Sequence, residues 1–396
     1  MPYFLSPKII FGKDVFKRLA SELQGKGSRA VLITDKTVVK FSEELLKTLK
    51  GAGYECKVWD GVEPDPTIAL AIEAGKFLLD FEPQWVIGFG GGSAIDTAKA
   101  AWILYERPDL ISSDLTRSVL PKAKLNLRSK ARFLSVPTTS GTGADVTWVA
   151  VLTDTEKKRK VIFAHNDIVP DISVLDAGLT KHMPGDLTAS TGLDVLGHAI
   201  DGYISRQRTD FSDGLCLQAM KIAFEWLPRV FHDPSNLAAR EKMQNAATIA
   251  GLGFSNSNTG LSHALAHSVG ALMHIGHGRA VGIALPYSLE YVASNPPVSE
   301  ELDPLGRLNT AARFVNIESD TVQERVQAFI QKIRDLAREI GEPLSLREAG
   351  VTEGQMQQGM QTLVQIGSSD PNMYTTPCEC DGEKLEQLFL KMWEGK

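Results

Sequence analysis

The sequence is poor in cysteine and aromatic residues and contains no long apolar run. Four cysteines in 396 residues are too few for a disulfide scaffold, so the C-x-C motif of Cys378 and Cys380 is expected to hold reduced thiols. No apolar run approaches the ~20 residues that a membrane-spanning helix needs. A formal net charge of −6 leaves no basic surplus for nucleic acid or an anionic membrane. The N-terminus lacks the basic and apolar regions of a signal peptide, and we therefore expect a cytoplasmic protein.

The length and the apolar pattern predict two domains. The chain is too long for one simple core, and its 43% apolar and 23% charged residues are typical of a globular protein. Before residue 182, short β-rich runs alternate with helical patterns, which predicts a parallel sheet. The predicted strands are Ala30–Thr34, Tyr54–Trp59, Trp85–Phe89 and Phe133–Val136, and the predicted helices are Ser42–Ala52, Thr67–Phe81 and Ser93–Tyr105.

The second part of the chain has a different pattern. From residue 183 onward, apolar residues recur at helical spacing and β-branched runs nearly disappear. The predicted helices are Leu187–Ile204, Asp210–Phe224, Asn236–Leu252, Gly260–Leu272 and Val322–Ile340. We therefore expect an α/β domain over residues 1–182 and an all-helical domain over residues 183–396.

A glycine-rich turn follows the predicted strand Trp85–Phe89. Gly90, Gly91 and Gly92 carry no Cβ, so a phosphate can approach the backbone there. Ser93 suits a helix N-cap, and Asp96 three residues later completes a capping box. The start of the following helix offers free N–H groups and a positive dipole end to an anion. The turn is only a near miss to the usual G-x-G-x-x-G fingerprint, and the alternative is a tight turn that binds nothing.

Two further features favour a nucleotide site over an empty turn. The segment Pro137–Gly143, which includes Thr138 and Thr139, is a second loop of small and hydroxyl residues after a strand. Asp35 follows the predicted strand Ala30–Thr34, where a carboxylate can bond the adenosine ribose hydroxyls and repel a 2′-phosphate. The coenzyme predicted from these residues is NAD in preference to NADP.

Half of the eight histidines lie within one short stretch. These are His263, His267, His274 and His277, and Asp194 and His198 lie upstream in TGLDVLGHAID. Asp194/His198 and His263/His267 are each four residues apart, so each pair shares one helix face. A lone histidine is more often a hydrogen-bonded core residue, but an Asp on so apolar a helix needs compensation. A divalent metal supplies it, although the spacing does not say which histidines bind.

Five segments together resemble the iron-containing (group III) alcohol dehydrogenase family over nearly the whole chain. They are GFGGGSAIDTAKA, VPTTSGTGADVT, STGLDVLGHAIDGYIS, AGLGFSNSNTGLSHALAHSVGA and HGRAVGIALP. The resemblance implies an N-terminal α/β dinucleotide-binding domain, an all-helical C-terminal domain and an active site in the cleft between them.

The resemblance also implies roles for individual residues. The implied metal ligands are Asp194, His198, His263 and His277, while His267 is placed beside the nicotinamide without binding metal. The implied coenzyme contacts are Gly91, Gly92, Ser93, Asp96, Thr138, Thr139 and Lys160, and Val149 and Phe254 are the implied substrate-pocket residues. Three positions depart from the family pattern: Asp145 replaces a Glu, Gly276 replaces a Pro, and Asp65 replaces an Asn.

The activity expected from this pattern is reversible hydride transfer between an alcohol or aldehyde and NAD(H). The metal, Fe²⁺ or else Zn²⁺ or another divalent ion, polarises the substrate oxygen. His267 either relays the proton, since histidine titrates near neutral pH, or only positions the nicotinamide. The expected substrates are short or medium primary alcohols, diols or semialdehydes, and the expected assembly is a homodimer in which the extended segment Tyr3–Phe11 adds a strand to a partner. Two alternatives remain. One is dehydroquinate synthase, a lyase with a similar two-domain organisation, and the other is a non-catalytic binding module.

Overall fold

Eight short runs in the first part of the chain, most of them rich in β-branched or aromatic residues, form strands in a computed structural model, which describes residues 4–112, 119, 124–156 and 159–395. The strands are β1 Lys8–Phe11, β2 Arg29–Ile33, β3 Glu55–Trp59, β4 Trp85–Gly90, β5 Arg132–Pro137, β6 Val149–Asp154, β7 Arg159–Ala164 and β8 Ile172–Leu175. Six of them form one parallel sheet in the order β1-β8-β5-β4-β2-β3, while β6 and β7 form a separate antiparallel hairpin. Of the extended segment Tyr3–Phe11, Lys8–Phe11 is strand and Tyr3 lies outside the described residues.

Helices cover both faces of the parallel sheet. They are α1 Val15–Leu23, α2 Glu43–Gly51, α3 Ile68–Phe81, α4 Gly92–Glu106 and the short α5 Ala177–Thr180. Because side chains alternate along a strand, Ala30 and Leu32 pack with α1 and α2, whereas Val31 and Ile33 pack with α3 and α4. Burial on both faces is typical of a parallel sheet with crossover helices, and it explains the nearly continuous apolar runs of the strands.

The remainder of the described chain is helical. Its helices are α6 Gly185–Ile204, α7 Asp210–His232, α8 Leu237–Ser255, α9 Leu261–Met273, α10 His277–Ser294, α11 Pro304–Phe314, α12 Val322–Glu339, α13 Glu353–Ser368 and α14 Gly382–Glu394. The predicted fold class, a parallel α/β part followed by a helical part, is confirmed. Of the described residues, those from Leu5 to His182 form one unit, and those from Met183 onward together with Phe4 form the other. No helix among the described residues is long and apolar enough to cross a membrane.

Helix α6 lies in the core of the helical unit. Every residue from Gly192 to Ile204 is buried, which is expected of a helix that is apolar around most of its circumference. The buried polar residues on this stretch are Asp194, His198 and Asp201. Their side chains need partners, and those partners define the site described below.

The turn after β4 needs a backbone conformation that only glycine adopts easily. Gly90 has φ +143°, which L residues rarely adopt, and a Cβ there would lie 2.7 Å from Ala94 Cβ. We expect Gly90→Ala to lower the free energy of unfolding by about 1–3 kcal/mol. The matched control is Gly214→Ala in α7, where a Cβ meets nothing within 4 Å and should stabilise the helix by about 0.5–1 kcal/mol. Chemical denaturation measures both, and a Gly90→Ala variant as stable as the natural chain would contradict this account.

Candidate active site

The two small-residue loops lie side by side at the carboxyl edge of the sheet. Strands β4 and β5 are neighbours, and Thr138 donates its backbone N–H to the Gly90 carbonyl at 3.0 Å. A Cβ on Gly91 would lie 3.3 Å from Thr139 Cγ2, so the loops are in contact. The side chain of Thr138 is buried and that of Thr139 is half-buried. The two loops therefore lie next to each other at the end of β4 and β5.

Asp35 lies at the point where the strand order reverses. The chain runs from β2 outward to β3 and then returns to β4 on the other side of β2. Ligands of open α/β sheets bind at such a switch point, outside the carboxyl ends of the strands. Asp35 Oδ1 accepts the N–H groups of Thr37 and Val38 at 2.8 and 3.2 Å, and Oδ2 lies 3.7 Å from the position of a Cβ on Gly90. The carboxylate is therefore held against the glycine turn.

The predicted cap of α4 is wrong. The helix begins at Gly92 with Gly91 as its N-cap, and no side chain caps it. Ser93 is therefore inside the first turn and Asp96 is too far along the helix for a capping box. The Asp96 carboxylate instead accepts the N–H of Val151 in β6 at 2.9 Å, and burial raises its pKa to about 6. The glycine run lets the helix start earlier than the pattern suggested.

Helix α4 also holds the start of the β6–β7 hairpin through a buried lysine. Lys99 Nζ donates to the carbonyl oxygens of Thr147 and Val149 at 2.7 and 2.9 Å, and burial lowers its pKa to about 8. Val149, which opens β6, is half-buried. On β7, Lys160 Nζ contacts Asp65 Oδ1 at 2.5 Å, so the acidic residue that replaces the usual Asn pairs with the lysine expected near the coenzyme.

The four residues Asp194, His198, His263 and His277 converge in the helical unit. Asp194 and His198 are one turn apart on α6, His263 lies in the first turn of α9, and His277 opens α10. Their ligand atoms all lie within 4.8 Å of one another. Asp194 Oδ1 is 3.4 Å from His277 Nε2, 3.8 Å from His198 Nδ1 and 3.9 Å from His263 Nε2. This cluster is called the Asp–His cluster below.

The polar atoms of the Asp–His cluster fit a divalent cation. Within the part of the chain that the structure describes, Asp194 Oδ1, His198 Nδ1 and His263 Nε2 are buried without a hydrogen-bond partner. Such burial costs a few kcal/mol per group unless something compensates it. Burial lowers the pKa of His198 to about 3 and that of His263 well below its usual range, so both imidazoles are neutral and can offer a lone pair. One oxygen and three nitrogens suit Fe²⁺, Zn²⁺ and similar ions.

Close helix packing brings His277 to the cluster. A Cβ on Gly278 would lie 2.4 Å from the Ser190 carbonyl oxygen, so only glycine lets α10 approach α6 this closely. On the other side of the cluster, the ring of Phe254 stacks on His198 with centroids 4.2 Å apart. Phe254 therefore presents an apolar surface beside the cluster.

His267 is near the Asp–His cluster but outside the converging group. It lies one turn beyond His263 on α9, and its ring stacks on that of His277 with centroids 5.4 Å apart. Its Nδ1 is 2.8 Å from Asp370 Oδ2. His274, which the spacing left open, is the left-handed residue that ends α9 and is not in the group either.

Comparison with known proteins identifies the family. A model of the iron-containing alcohol dehydrogenase family matches residues 6–177, and the model of the C-terminal part of the Fe-containing alcohol dehydrogenase family matches residues 188–393. The chain belongs to the iron-containing alcohol dehydrogenase family. Members of this family are oxidoreductases that use NAD(P) and iron, and the predicted class of activity, alcohol dehydrogenase or aldehyde reductase, is confirmed.

Several relatives of this iron-containing alcohol dehydrogenase cover the chain from end to end. It is 34% identical to an NADPH-dependent butanol dehydrogenase of Clostridium saccharobutylicum over 100% of this chain and 98% of that protein. It is 31% identical to a lactaldehyde reductase of Escherichia coli strain K12 over 97% of each. A crystal structure of a 1,3-propanediol oxidoreductase superposes with a TM-score of 0.90 at 28% identity, over 99% of this chain and 100% of that one.

Two carboxylates of the dehydrogenase were missed by sequence reasoning. Asp201 Oδ2 lies 2.8 Å from His263 Nδ1, and Asp370 pairs with His267 as described above. Asp201 lies seven residues after Asp194 on the same face of α6, so a search for acidic residues at helical spacing would have found it. Asp370 is 103 residues from His267, and no local pattern joins them.

Proposed function

We propose that the Asp–His cluster holds one divalent metal and that the chain interconverts primary alcohols and aldehydes with NAD(H). The observation that carries the proposal is the convergence of three buried polar atoms without hydrogen-bond partners among the described residues. Asp194, His198, His263 and His277 are the proposed ligands. Fe²⁺ is the proposed metal, and Zn²⁺ is an alternative that the same ligands accept.

A metal held by the Asp–His cluster would supply Lewis-acid polarisation of the substrate oxygen, and a bound nicotinamide coenzyme would supply the hydride donor or acceptor. The chain must then handle one proton. Burial raises the pKa of Asp370, but the hydrogen bond and charge of His267 and the hydrogen bonds from Asn372 together outweigh burial and lower the pKa, so Asp370 is a carboxylate that accepts from His267 Nδ1. Nε2 of the neutral imidazole then bears the lone pair, and we propose it as the atom that takes the proton.

We propose the two adjacent loops at the sheet edge as the coenzyme site. Gly91, Gly92 and Ser93 present the N-terminus of α4, where a pyrophosphate is stabilised by free N–H groups and the helix dipole. Thr138 and Thr139 form the adjoining surface. Asp96 and Lys160 are proposed coenzyme residues whose side chains also hold Val151 and Asp65.

The proposed substrates are short or medium primary alcohols, diols or semialdehydes. Relatives are named for butanol, 1-propanol, lactaldehyde and 1,3-propanediol, all of which are small. Phe254 beside the Asp–His cluster and the apolar Val149 are the proposed pocket residues. The test is a panel of C2–C6 alcohols, diols and aldehydes run in both directions with Fe²⁺ or Zn²⁺, following the absorbance of the reduced coenzyme. Silence across all metals, substrates and both coenzymes would contradict the proposal.

Removal of a proposed ligand should remove the metal. We expect Asp194→Ala and His198→Ala to contain almost none of the metal that the natural chain binds at about one ion per chain, because each loses one of four donors. His274→Asn is the control, since His274 is exposed and asparagine tolerates its φ of +56°. Elemental analysis of the loaded proteins measures the outcome, and full occupancy in both alanine variants would show that the ligands are wrong.

His267 is expected to take part in proton transfer and not in metal binding. His267→Ala should keep the metal content of the natural chain but change the pH dependence of kcat, because the proposed proton acceptor is gone. The pH–rate profile of His274→Asn provides the comparison. An unchanged profile for His267→Ala removes the relay role, and a change confined to the KM for the coenzyme favours the alternative that His267 only positions the nicotinamide.

We propose NAD as the preferred coenzyme, although one relative is NADPH-dependent. The Asp35 carboxylate is fixed by two backbone N–H groups and faces the glycine turn, so a 2′-phosphate there meets a like charge. Asp35→Ser should raise kcat/KM for NADP by on the order of tenfold. Asp60→Ser is the matched control, because Asp60 is an exposed carboxylate just after the neighbouring strand β3. If the two variants change the ratio of kcat/KM for NADP to kcat/KM for NAD equally, Asp35 does not determine the coenzyme preference.

We also propose a homodimer in the cytoplasm. All four cysteines are free thiols, which fits a reducing compartment. Among the described residues, β1 pairs with β8 on one side only, and such an edge strand can accept a strand from a second copy.

A further inference from the structure

The Asp201 carboxylate binds backbone N–H groups at the start of α9 and also contacts the imidazole ring of His263, which capping of the helix alone would not require. Its Oδ2 accepts the N–H of Gly260 at 3.0 Å, the N–H of His263 at 3.3 Å and the hydroxyl of Ser262 at 2.6 Å. The same oxygen lies 2.8 Å from His263 Nδ1. Asp201 is 1% exposed, and Gly260, the N-cap residue of α9, has no side chain that could do this work. One carboxylate on α6 thus fixes both the backbone and the ring of a residue on α9.

The hydrogen-bond pattern determines the tautomer of His263. An oxygen that accepts two backbone N–H groups is an acceptor, so the imidazole must donate from Nδ1. A neutral imidazole has one N–H, and Nε2 therefore carries the lone pair. Nε2 is buried, has no hydrogen-bond partner among the described residues and faces Asp194 Oδ1 at 3.9 Å. The lone pair is therefore directed into the Asp–His cluster.

We propose that Asp201 is a positioning residue for metal binding, which it promotes by holding His263 as the Nδ1–H tautomer with Nε2 directed at the metal. The proposal rests on the proposed function, because it assigns His263 to the metal. Without the Asp201 carboxylate, the proton can move to Nε2 and the ring can rotate, and both changes oppose binding. Carboxylates that hold a ligating histidine typically contribute 10- to 100-fold to metal affinity.

The structure provides a matched control one turn further along α9. Asp370 holds Nδ1 of His267 at the same 2.8 Å distance, but His267 is not in the converging group. Asp201→Asn and Asp370→Asn therefore make the same chemical change beside two histidines of one helix. Asparagine loses the negative charge but keeps a side-chain oxygen that accepts the N–H groups of Gly260 and His263, so Asp201→Asn should keep the start of α9 intact.

The experiment measures metal affinity and the histidine tautomer in the full-length protein. Metal-free natural chain, Asp201→Asn and Asp370→Asn are titrated with Co²⁺ and with Zn²⁺ in competition with a chelating dye, and their thermal unfolding is recorded. We expect Asp201→Asn to bind each ion 10- to 100-fold more weakly, and Asp370→Asn to bind within about twofold of the natural chain. Equal affinity of Asp201→Asn and the natural chain overturns the proposal, and so does an equal loss in both variants.

The tautomer is read independently in the metal-free natural chain labelled with ¹⁵N-histidine. The imidazole nitrogen shifts of His263, assigned by comparison with His263→Gln, should show hydrogen on Nδ1. Hydrogen on Nε2 overturns the proposal even if Asp201→Asn fails to fold. If the natural chain binds neither ion, the proposal that the Asp–His cluster holds a metal is wrong. The tautomer of His263 then still tests whether Asp201 holds the ring as the Nδ1–H form.

Discussion

The helical unit is organised around the cost of burying a carboxylate and imidazoles in an apolar core. Asp194 and His198 lie on a helix that is buried along thirteen consecutive residues from Gly192 to Ile204, where water cannot satisfy them. Each such group costs a few kcal/mol unless a partner is present. His263 and His277 approach the same point from two other helices, and glycine at position 278 permits that approach. Three buried polar residues that are each unfavourable alone, together with the exposed His277, form one group of side chains that fits a divalent cation.

The α/β unit must instead leave backbone groups accessible at the end of β4, a strand that is buried along its whole length. Strand β4 ends in Gly90, and α4 starts two residues later without a side-chain cap. The absence of a capping side chain from this helix leaves its first N–H groups available to an anion. Polar side chains further along α4 instead bind neighbouring backbone: Asp96 accepts the N–H of Val151 in β6, and Lys99 donates to the Thr147 carbonyl just before β6. The contacts that stabilise this region therefore do not use the first N–H groups of α4.

The sequence predicted those features that depend on residues close together in the chain. Apolar periodicity located β2 to β5 within about two residues, and four-residue spacing identified Asp194/His198 as a pair on one face. It missed β6 and β7, which carry charged residues, and β8, which is only four residues long. It also ended α7 at Phe224, although the helix continues through Pro228 to His232. It also misplaced the cap of α4, because the capping-box pattern ignores the freedom that three glycines give the backbone. The pairing of Asp370 with His267 depends on the path of the chain after α13, which no local pattern contains.

The same limit explains why the spacing of His263 and His267 could not decide which of them joins the Asp–His cluster. Two histidines four residues apart on one helix are equivalent in sequence, yet the structure brings only the first into the Asp–His cluster. They differ in what holds Nδ1: Asp201, fully buried on α6, for His263, and Asp370, at the start of the turn after α13, for His267. Each carboxylate fixes the direction in which Nε2 points, and hence the chemistry of the ring. Since both rings are held by a carboxylate in the same way, their positions separate them: His263 Nε2 faces Asp194, whereas His267 lies one turn further along α9, outside the converging group.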